Sequence, residues 1–201
     1  MTVYKVFGDS LSGNCYKVRL ILEQLGFAYQ WEEVGATSGR TATPEFMAMN
    51  PTAQVPVLQL PNGEHLSQSN AIMHYLASDS ALLPSDPLEL ARVLEWLYFE
   101  QYSHEPVIAT VRFWIYYLNA EAEYAEQIAN NRPKGYRALD IMEDHLKNYS
   151  FLAAGRYTIA DAGLYAYTHV ADQGGYDLSR YRAIRAWLDR VQAQPGYVPM
   201  Q

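Results

Sequence analysis

The arrangement of the first half of this chain is decided by residues 54–70, which read QVPVLQLPNGEHLSQSN. Apolar and β-forming residues stand on both sides of the Asn62-Gly63 pair, a dipeptide typical of tight turns between antiparallel strands. The sequence therefore predicts a β-hairpin. Ser69 and Asn70 follow its second strand and can cap a helix, because their side-chain oxygens accept hydrogen bonds from the first main-chain N–H groups of a helix.

The residues before this hairpin alternate strand and helix signals. Residues 3–7 and 28–34 are rich in β-forming side chains, and apolar side chains between residues 18 and 25 fall on one helical face. Thr43, followed by a proline, indicates the start of a short helix that ends near residue 50. The predicted order is βαβαββα, in which the βαβ part gives parallel pairing and the hairpin gives antiparallel pairing.

The second half of the chain is predicted to be helical throughout. The stretch Leu83-Pro84-Ser85-Asp86-Pro87 interrupts the earlier pattern, and Ser85 or Asp86 can cap the next helix. Apolar stripes at helical spacing follow, with few strand signals between them. The fold class is therefore α/β plus all-α. Residues 1–80 form the first domain, 81–88 the linker and 89–201 an all-α domain.

Composition narrows the class of protein. Of the 201 residues, 49% are apolar, which is enough for a sizeable core. Fifteen basic against twenty-two acidic residues give a net charge of −7, which does not fit a nucleic-acid-binding surface with its clustered Lys and Arg. Cys15 is the single cysteine, so an internal disulfide framework is excluded.

The chain shows no sign of a membrane span or a secretory signal. No run of about eighteen uncharged apolar residues occurs, and residues 1–5 enter strand-like sequence without the apolar segment of a signal peptide. The absence of a disulfide framework agrees with a reducing compartment. We expect a cytoplasmic protein.

Ser12-Gly13-Asn14-Cys15 stands between the first strand and the first helix. The first N–H groups of a helix lack internal partners, and the helix dipole favours negative charge there, including a thiolate. The Ser12 hydroxyl cannot replace the attacking thiol of a C-x-x-C motif, but it can donate a hydrogen bond to a thiolate supplied by a ligand. Taken alone, the pattern is better explained as an ordinary helix cap.

Two further stretches can hold a peptide-like ligand. Pro56 lies inside a strand-like run, where proline occurs at a sheet edge, at a bulge or after a cis peptide bond. A cis bond would leave the main chain of Val55 able to pair with a ligand, whereas an edge-strand proline needs no ligand. The Gln68-Ser69 pair begins a second helix, which either binds a carboxylate or is simply capped.

Thr158 and Asp161 have the spacing of a capping box, in which each side chain binds the other residue's main-chain N–H. The residues after them are mostly apolar. We interpret this motif as structural: it begins a buried helix.

These motifs, in this order, resemble the cytosolic glutathione transferase superfamily over essentially the whole chain, with the serine motif of bacterial members. The resemblance implies a thioredoxin-like first domain, a helical second domain, a homodimer, and glutathione as co-substrate in detoxification without a metal. Ser12 matches the residue that steadies the glutathione sulfur, and Asn14 matches an assisting asparagine. Tyr4 and Cys15 do not match the catalytic positions of the tyrosine-type and cysteine-type classes.

The same resemblance implies which residues bind the other parts of glutathione. In the Gln54-Val55-Pro56 segment, the main chain of Val55 before an expected cis Pro56 pairs with the cysteinyl part. Gln68 and Ser69 hold the γ-glutamyl end, with Gln68 where many relatives carry an acid. Arg40 lies in the loop that often contacts the glycyl carboxylate.

The second substrate is expected to meet the sulfur from the helical domain, where Tyr102, His104 and Arg112 are the candidates. Three functions remain open at this point. The first is transfer of glutathione to a small electrophile, and the second is glutathione-dependent reduction of a disulfide or peroxide. The third is a non-catalytic binding or regulatory role, against which the presence of the complete serine and proline motifs argues.

Overall fold

The computed structural model describes residues 3–200, which divide into two compact units. The first contains the described residues up to Ala81 together with those from Gln194 onward, and the second runs from Leu82 to Ala193. The C-terminal segment therefore groups with the first unit, whereas we predicted that the helical domain extends to residue 201. The Tyr16 hydroxyl donates a 2.8 Å hydrogen bond to the carbonyl oxygen of Val198, which ties this segment to the first helix.

The first unit contains a mixed sheet in which the described strands lie in the order β2-β1-β3-β4. β1 and β2 are parallel, whereas β1 with β3 and β3 with β4 are antiparallel. The structure thus confirms the predicted order of elements, the parallel pair of the βαβ unit and the antiparallel hairpin of a thioredoxin-like domain. The strands are β1 (Tyr4–Gly8), β2 (Tyr29–Glu33), β3 (Val57–Gln59) and β4 (His65–Ser67).

The turn of the hairpin differs from the predicted Asn-Gly turn. The Gly63 N–H donates to the carbonyl oxygen of Leu60, so Pro61 and Asn62 occupy the central positions of the turn. Proline favours this geometry because its ring fixes φ near the value that the first central position requires. Gly63 follows with a φ of 89°, a left-handed conformation that glycine adopts without steric cost.

The helices of the first unit present their N-termini next to the ends of strands. Thr43 caps the second of them as predicted, accepting a hydrogen bond from the Phe46 N–H at 3.3 Å. A 3₁₀ turn at Arg40–Ala42 precedes that helix. The helices are α1 (Gly13–Gln24), α2 (Pro44–Met49) and α3 (Ser69–Ala77).

The second unit is helical, and its described residues 82–193 contain no strand, as predicted. Asp86 caps its first helix by accepting from two main-chain N–H groups. The Thr158 and Asp161 capping box is present in full. The helices are α4 (Pro87–Phe99), α5 (Glu105–Arg112), α6 (Ala125–Leu146), α7 (Ile159–Thr168) and α8 (Arg182–Gln192).

Two π-helical turns, Glu100–His104 and Phe113–Tyr117, flank α5. Pro106 is the second residue of α5 and has no N–H to donate to the preceding turn. Widening the turn before it avoids a clash between the proline ring and that turn. The sequence pattern of this region gave no indication of these two turns.

Candidate functional site

The loop between β1 and α1 is held in place by Asp9, which is 2% exposed. Its carboxylate accepts from the main-chain N–H groups of Leu11 at 2.9 Å and Ala36 at 2.7 Å. Its carbonyl oxygen accepts from the Ser12 N–H at 3.0 Å. Asp9 thus fixes the position at which α1 begins, a role that the sequence did not indicate.

Ser12 is the N-cap of α1 and is half-buried. Its oxygen accepts a hydrogen bond from the Cys15 N–H at 3.4 Å, which is the capping role predicted for it. That bond uses a lone pair of the oxygen and not the hydroxyl proton, which faces the Cys15 sulfur closely enough to lower the pKa of that thiol against the larger effect of burial. Ser12 therefore caps the helix, and its hydroxyl can turn from Cys15 to donate to an anion at the helix N-terminus.

Cys15 is fully buried. The Asp9 N–H donates to its sulfur at 3.3 Å, and burial raises the pKa of its thiol to about 12. A thiol with that pKa is not ionised at neutral pH and does not act as a nucleophile. Cys15 is a packing residue of the first unit.

Tyr4 begins β1 and lies at the opposite end of that strand from the Ser12 loop, roughly 13 Å away at the usual strand rise. Its ring packs edge-to-face on Phe27 with a centroid distance of 5.5 Å. Burial and the neighbouring Tyr75 raise the pKa of its phenol. These contacts place Tyr4 outside the site around Ser12.

A buried polar cluster connects the N-termini of α1 and α3. The ammonium nitrogen of Lys17 lies 2.9 Å from Asn14 Oδ1 and 3.5 Å from both Ser69 Oγ and Asn70 Oδ1. The Ser69 hydroxyl donates to Asn14 Oδ1 at 3.2 Å. The structure therefore brings Asn14 and Ser69 together, although 55 residues separate them in sequence.

Lys17 is 0% exposed, and the sequence analysis did not identify it as a residue of the site. Its position could have indicated that it is buried. Residue 17 shares one face of α1 with Leu20 and Ile21, which are both buried apolar residues. A lysine on the apolar face of a helix needs oxygen acceptors inside the protein. The cluster around Asn14 provides them.

The segment before β3 presents an open stretch of main chain. The Val55–Pro56 peptide bond is cis, one of the two alternatives left by the sequence. The Asn50 side chain is 2% exposed and donates to the carbonyl oxygen of Gln54 at 2.7 Å, which fixes the approach to this bond. Among residues 3–200, neither the N–H nor the C=O of Val55 has a hydrogen-bond partner.

Gln68 links β4 to α3 with φ 71° and ψ 108°, a conformation that residues other than glycine adopt only when their surroundings enforce it. Its side chain is exposed and makes no capping bond to the helix. Ser69 next to it is 6% exposed. The hydroxyl of Ser69 already donates to Asn14, so a carboxylate ligand would find the main-chain N–H groups of α3 first.

Arg40 is exposed, and its guanidinium is already engaged by the β2 strand. It donates to the carbonyl oxygen of Glu33 at 2.6 Å and forms an ion pair with the carboxylate of Glu32. Lys5 and then Arg40 lower the pKa of Glu32, so that carboxylate is charged. A ligand carboxylate at Arg40 would have to compete with Glu32.

The three second-substrate candidates differ widely in exposure. Tyr102 is 88% exposed, whereas His104 is 0% exposed and its Nε2 lies 2.9 Å from the Thr168 hydroxyl oxygen. Arg112 is 4% exposed and donates from Nε to Gln173 at 2.7 Å. The structure therefore does not bring the three side chains onto one exposed surface.

The second unit also contains a solvent-open cavity of about 540 Å³ with aromatic walls from α4 and the end of α6. Trp96 and His145 pack there edge-to-face at 4.9 Å. Tyr102, His104 and Arg112 are not among the lining residues. Over the described part of the chain, no group of three or more His, Cys, Asp or Glu side chains could hold a metal ion, and no helix is long and apolar enough to cross a membrane.

Two family models match the chain in the same order as the two units. The model described as glutathione S-transferase, N-terminal domain, matches residues 11–79. The model described as glutathione S-transferase, C-terminal domain, matches residues 106–195. The first match includes the Ser12 loop, the cis Pro56 segment and the Gln68-Ser69 pair.

Several individual proteins are similar to this chain over nearly its full length. A crystal structure of glutathione S-transferase from Pseudomonas fluorescens Pf-5 is 50% identical, with a TM-score of 0.96 and 98% of each chain covered. Glutathione S-transferase 3 of Zea mays is 28% identical over 98% of this chain and 92% of its own length. Disulfide-bond oxidoreductase YfcG of Escherichia coli (strain K12) is 26% identical over 91% of this chain and 87% of its own.

Proposed function

The chain belongs to the glutathione S-transferase superfamily, and from this premise we propose that it transfers glutathione to a small electrophile. The observation that carries the proposal is the Ser12 hydroxyl, whose oxygen caps α1 by accepting a hydrogen bond, so that its proton can be donated to a ligand. Glutathione bound in the first unit would bring its sulfur to this hydroxyl. The cytoplasm, with its reduced thiols, is the setting we propose.

The remaining contacts to glutathione follow from the groups that the first unit exposes. The main chain of Val55, between Gln54 and cis Pro56, would pair with the cysteinyl part of the tripeptide. The N-terminus of α3 at Gln68 and Ser69 would bind the γ-glutamyl carboxylate. Arg40 would bind the glycyl carboxylate if its guanidinium breaks the ion pair with Glu32 and pairs with the ligand instead.

The energy required of this site is modest. A free thiol with a pKa of ~8.5 is only a few per cent ionised at neutral pH. Lowering that pKa by about two units corresponds to roughly 2.7 kcal/mol in favour of the thiolate. A charge-assisted hydrogen bond contributes about 1.5–3 kcal/mol, so Ser12, Asn14 and the N-terminus of α1 suffice without a general base.

In the transfer step, no group of the protein changes its oxidation state. The thiol proton leaves to solvent, and the thiolate lone pair forms a bond to the electrophilic carbon. The leaving group departs with the electron pair of the bond that breaks. We propose that the second unit holds the electrophile, with exposed Tyr102 as its candidate contact and with His104 and Arg112 shaping the surroundings from inside.

A second candidate, the reduction of disulfides or peroxides by glutathione, is favoured by one observation: the chain is similar to a protein named disulfide-bond oxidoreductase. Cys15 is buried with a pKa of about 12. Cys15 therefore cannot resolve a mixed disulfide. One glutathione thiolate would attack the substrate disulfide, form a mixed disulfide with one half of the substrate and expel the other half as a thiolate. A second glutathione thiolate would then attack the glutathione sulfur of the mixed disulfide, which releases the bound half as a thiolate and forms oxidised glutathione.

One experiment tests binding and separates the two reactions. Calorimetry with reduced glutathione and the folded protein is expected to show binding, and its absence would contradict both proposals. The same preparation is then assayed for thioether formation with a model aryl halide and for glutathione oxidation with a small disulfide. Transfer predicts the larger rate enhancement with the halide, and reduction predicts it with the disulfide. Size-exclusion chromatography with light scattering would test the homodimer that we propose.

A further inference from the structure

Lys17 lies one turn inside α1, and its side chain points back along the helix toward residue 14, as helical side chains do. Its ammonium group is fully buried and reaches three side-chain oxygens at the N-termini of α1 and α3. A buried ammonium near helix N-termini is costly, because it loses water and opposes the helix dipole. For packing alone, an apolar side chain of the same length would be cheaper.

The chemistry of the ammonium group fixes the orientation of its neighbours. Lysine has three N–H donors and no acceptor, so the Asn14 atom at 2.9 Å must be the amide oxygen. The same argument applies to Ser69, whose oxygen accepts from Lys17 at 3.5 Å and whose proton is then directed to Asn14 Oδ1 at 3.2 Å. Two donors therefore occupy the amide oxygen, and the amide NH₂ group lies on the opposite side of the Asn14 side chain.

We propose that Lys17 is a positioning residue that keeps the N–H donors of Asn14 turned toward the sulfur of glutathione bound beside Ser12. This inference rests on the proposed function. It assigns Lys17 no contact with glutathione and no proton transfer. Its effect passes through Asn14, with Ser69 as the second group that holds the amide oxygen.

The test is the ionisation of bound glutathione, followed by its thiolate absorbance across a pH series. Lys17→Met keeps the length of the side chain but removes its donors, so the Asn14 amide can turn either way. We expect the apparent pKa of the bound thiol to rise by about one unit, a tenfold loss of thiolate at a fixed pH below the pKa. Binding of S-methylglutathione, which has no thiol to ionise, is expected to change less than twofold.

A double variant separates positioning from general damage. If Lys17 acts through Asn14, adding Lys17→Met to Asn14→Ala produces no further rise in the thiol pKa. Equal and additive rises would overturn the inference, and so would an unchanged pKa in folded Lys17→Met. The matched control is Lys147→Met on the exposed end of α6, which is expected to leave the titration unchanged.

A measurement on the unmodified protein covers the case in which Lys17→Met does not fold. The side-chain N–H signals of Asn14, assigned by their loss in Asn14→Ala, are expected to shift when glutathione is added and to shift less with S-methylglutathione. Equal shifts with both ligands would contradict the inference. Wild-type protein that binds glutathione without lowering its thiol pKa would instead contradict the proposed function.

Discussion

At the scale of single residues, the Ser12 hydroxyl is the group on which thiol activation depends. We expect Ser12→Ala to raise the apparent pKa of bound glutathione by about one to two units, because it removes a hydrogen bond to the charged sulfur. The affinity for glutathione changes less, since the main chain of Val55 and the N-terminus of α3 remain. Thiolate absorbance against pH measures the first effect and calorimetry the second.

Two neighbouring substitutions control this prediction. Ser12→Thr keeps a hydroxyl at the cap and is expected to preserve the low thiol pKa. Ser10→Ala removes a hydroxyl from the same loop, where it donates to Glu33 at 3.4 Å, and is expected to leave the titration unchanged. An unshifted pKa in folded Ser12→Ala would remove Ser12 from the proposed role.

The buried thiol of Cys15 gives a second prediction at this scale. A thiol reagent is expected to leave the native protein unlabelled near neutral pH, because Cys15 is inaccessible and its pKa is about 12. Labelling should become complete in denaturant, which mass spectrometry can follow. Cys15→Ala is expected to retain transfer activity in the folded protein, and loss of activity without loss of structure would restore a catalytic role for this thiol.

At the scale of elements, the capping box of α7 does more than begin a helix. Asp161 is 0% exposed, and its Oδ1 accepts from the Leu152 N–H and from the indole N–H of Trp187, both at 2.9 Å. Its Oδ2 accepts from the N–H and hydroxyl of Thr158. One carboxylate thus joins α7, the loop before it and α8.

We expect Asp161→Asn to destabilise the protein by about 3 kcal/mol, because an amide NH₂ would face donors where a carboxylate oxygen now accepts. Urea unfolding followed by circular dichroism measures this loss. Asp144→Asn makes the same chemical change at an exposed ion pair with Lys147 and should cost less than about 0.5 kcal/mol. Equal losses in the two variants would show that the buried network contributes little.

At the scale of the whole molecule, buried titratable groups make stability depend on pH. His169 stacks on Tyr165 at 4.4 Å, and its Nδ1 lies 2.8 Å from the carbonyl oxygen of that residue. Burial lowers its pKa from 6.5 to about 4. Between these values the unfolded chain binds a proton that the folded chain does not, so the stabilising contribution is complete above pH 6.5 and is lost as the pH falls toward 4.

Replacing His169 by asparagine tests this dependence. The amide of His169→Asn can still donate to the Tyr165 carbonyl but does not titrate, so the free energy of unfolding should fall less between pH 6.5 and 4. The expected difference in that fall is up to roughly 3 kcal/mol. Asp161 has the opposite effect on the pH dependence of stability. Burial raises the pKa of its carboxyl from 3.8 to about 6, so its contribution to the free energy of unfolding falls as the pH rises through that range. Comparing the two proteins at the same pH values cancels the Asp161 term, and parallel curves would contradict the assignment to His169.

Short-range patterns in the chain were enough to establish the order of the elements, their caps and the motifs that resemble the family. Those features depend on residues close together in the chain, such as Thr158 with Asp161 or Pro61 with Gly63, and their hydrogen bonds form locally. The parallel pairing of β1 with β2 and the antiparallel pairing of β3 with β4 also followed, because a βαβ unit and a hairpin leave few alternatives. The sequence left open whether the bond before Pro56 is cis, and the structure answers that it is.

Which side chains meet inside the protein became known only from the folded chain. Lys17 and Ser69 are 52 residues apart, and Asp161 and Trp187 are 26 apart, so no local pattern could pair them. The burial of Cys15 also depends on distant elements, because a side chain loses water only when other parts of the chain cover it. Local sequence thus specifies which groups a helix offers, and packing specifies which of them stay open to a ligand.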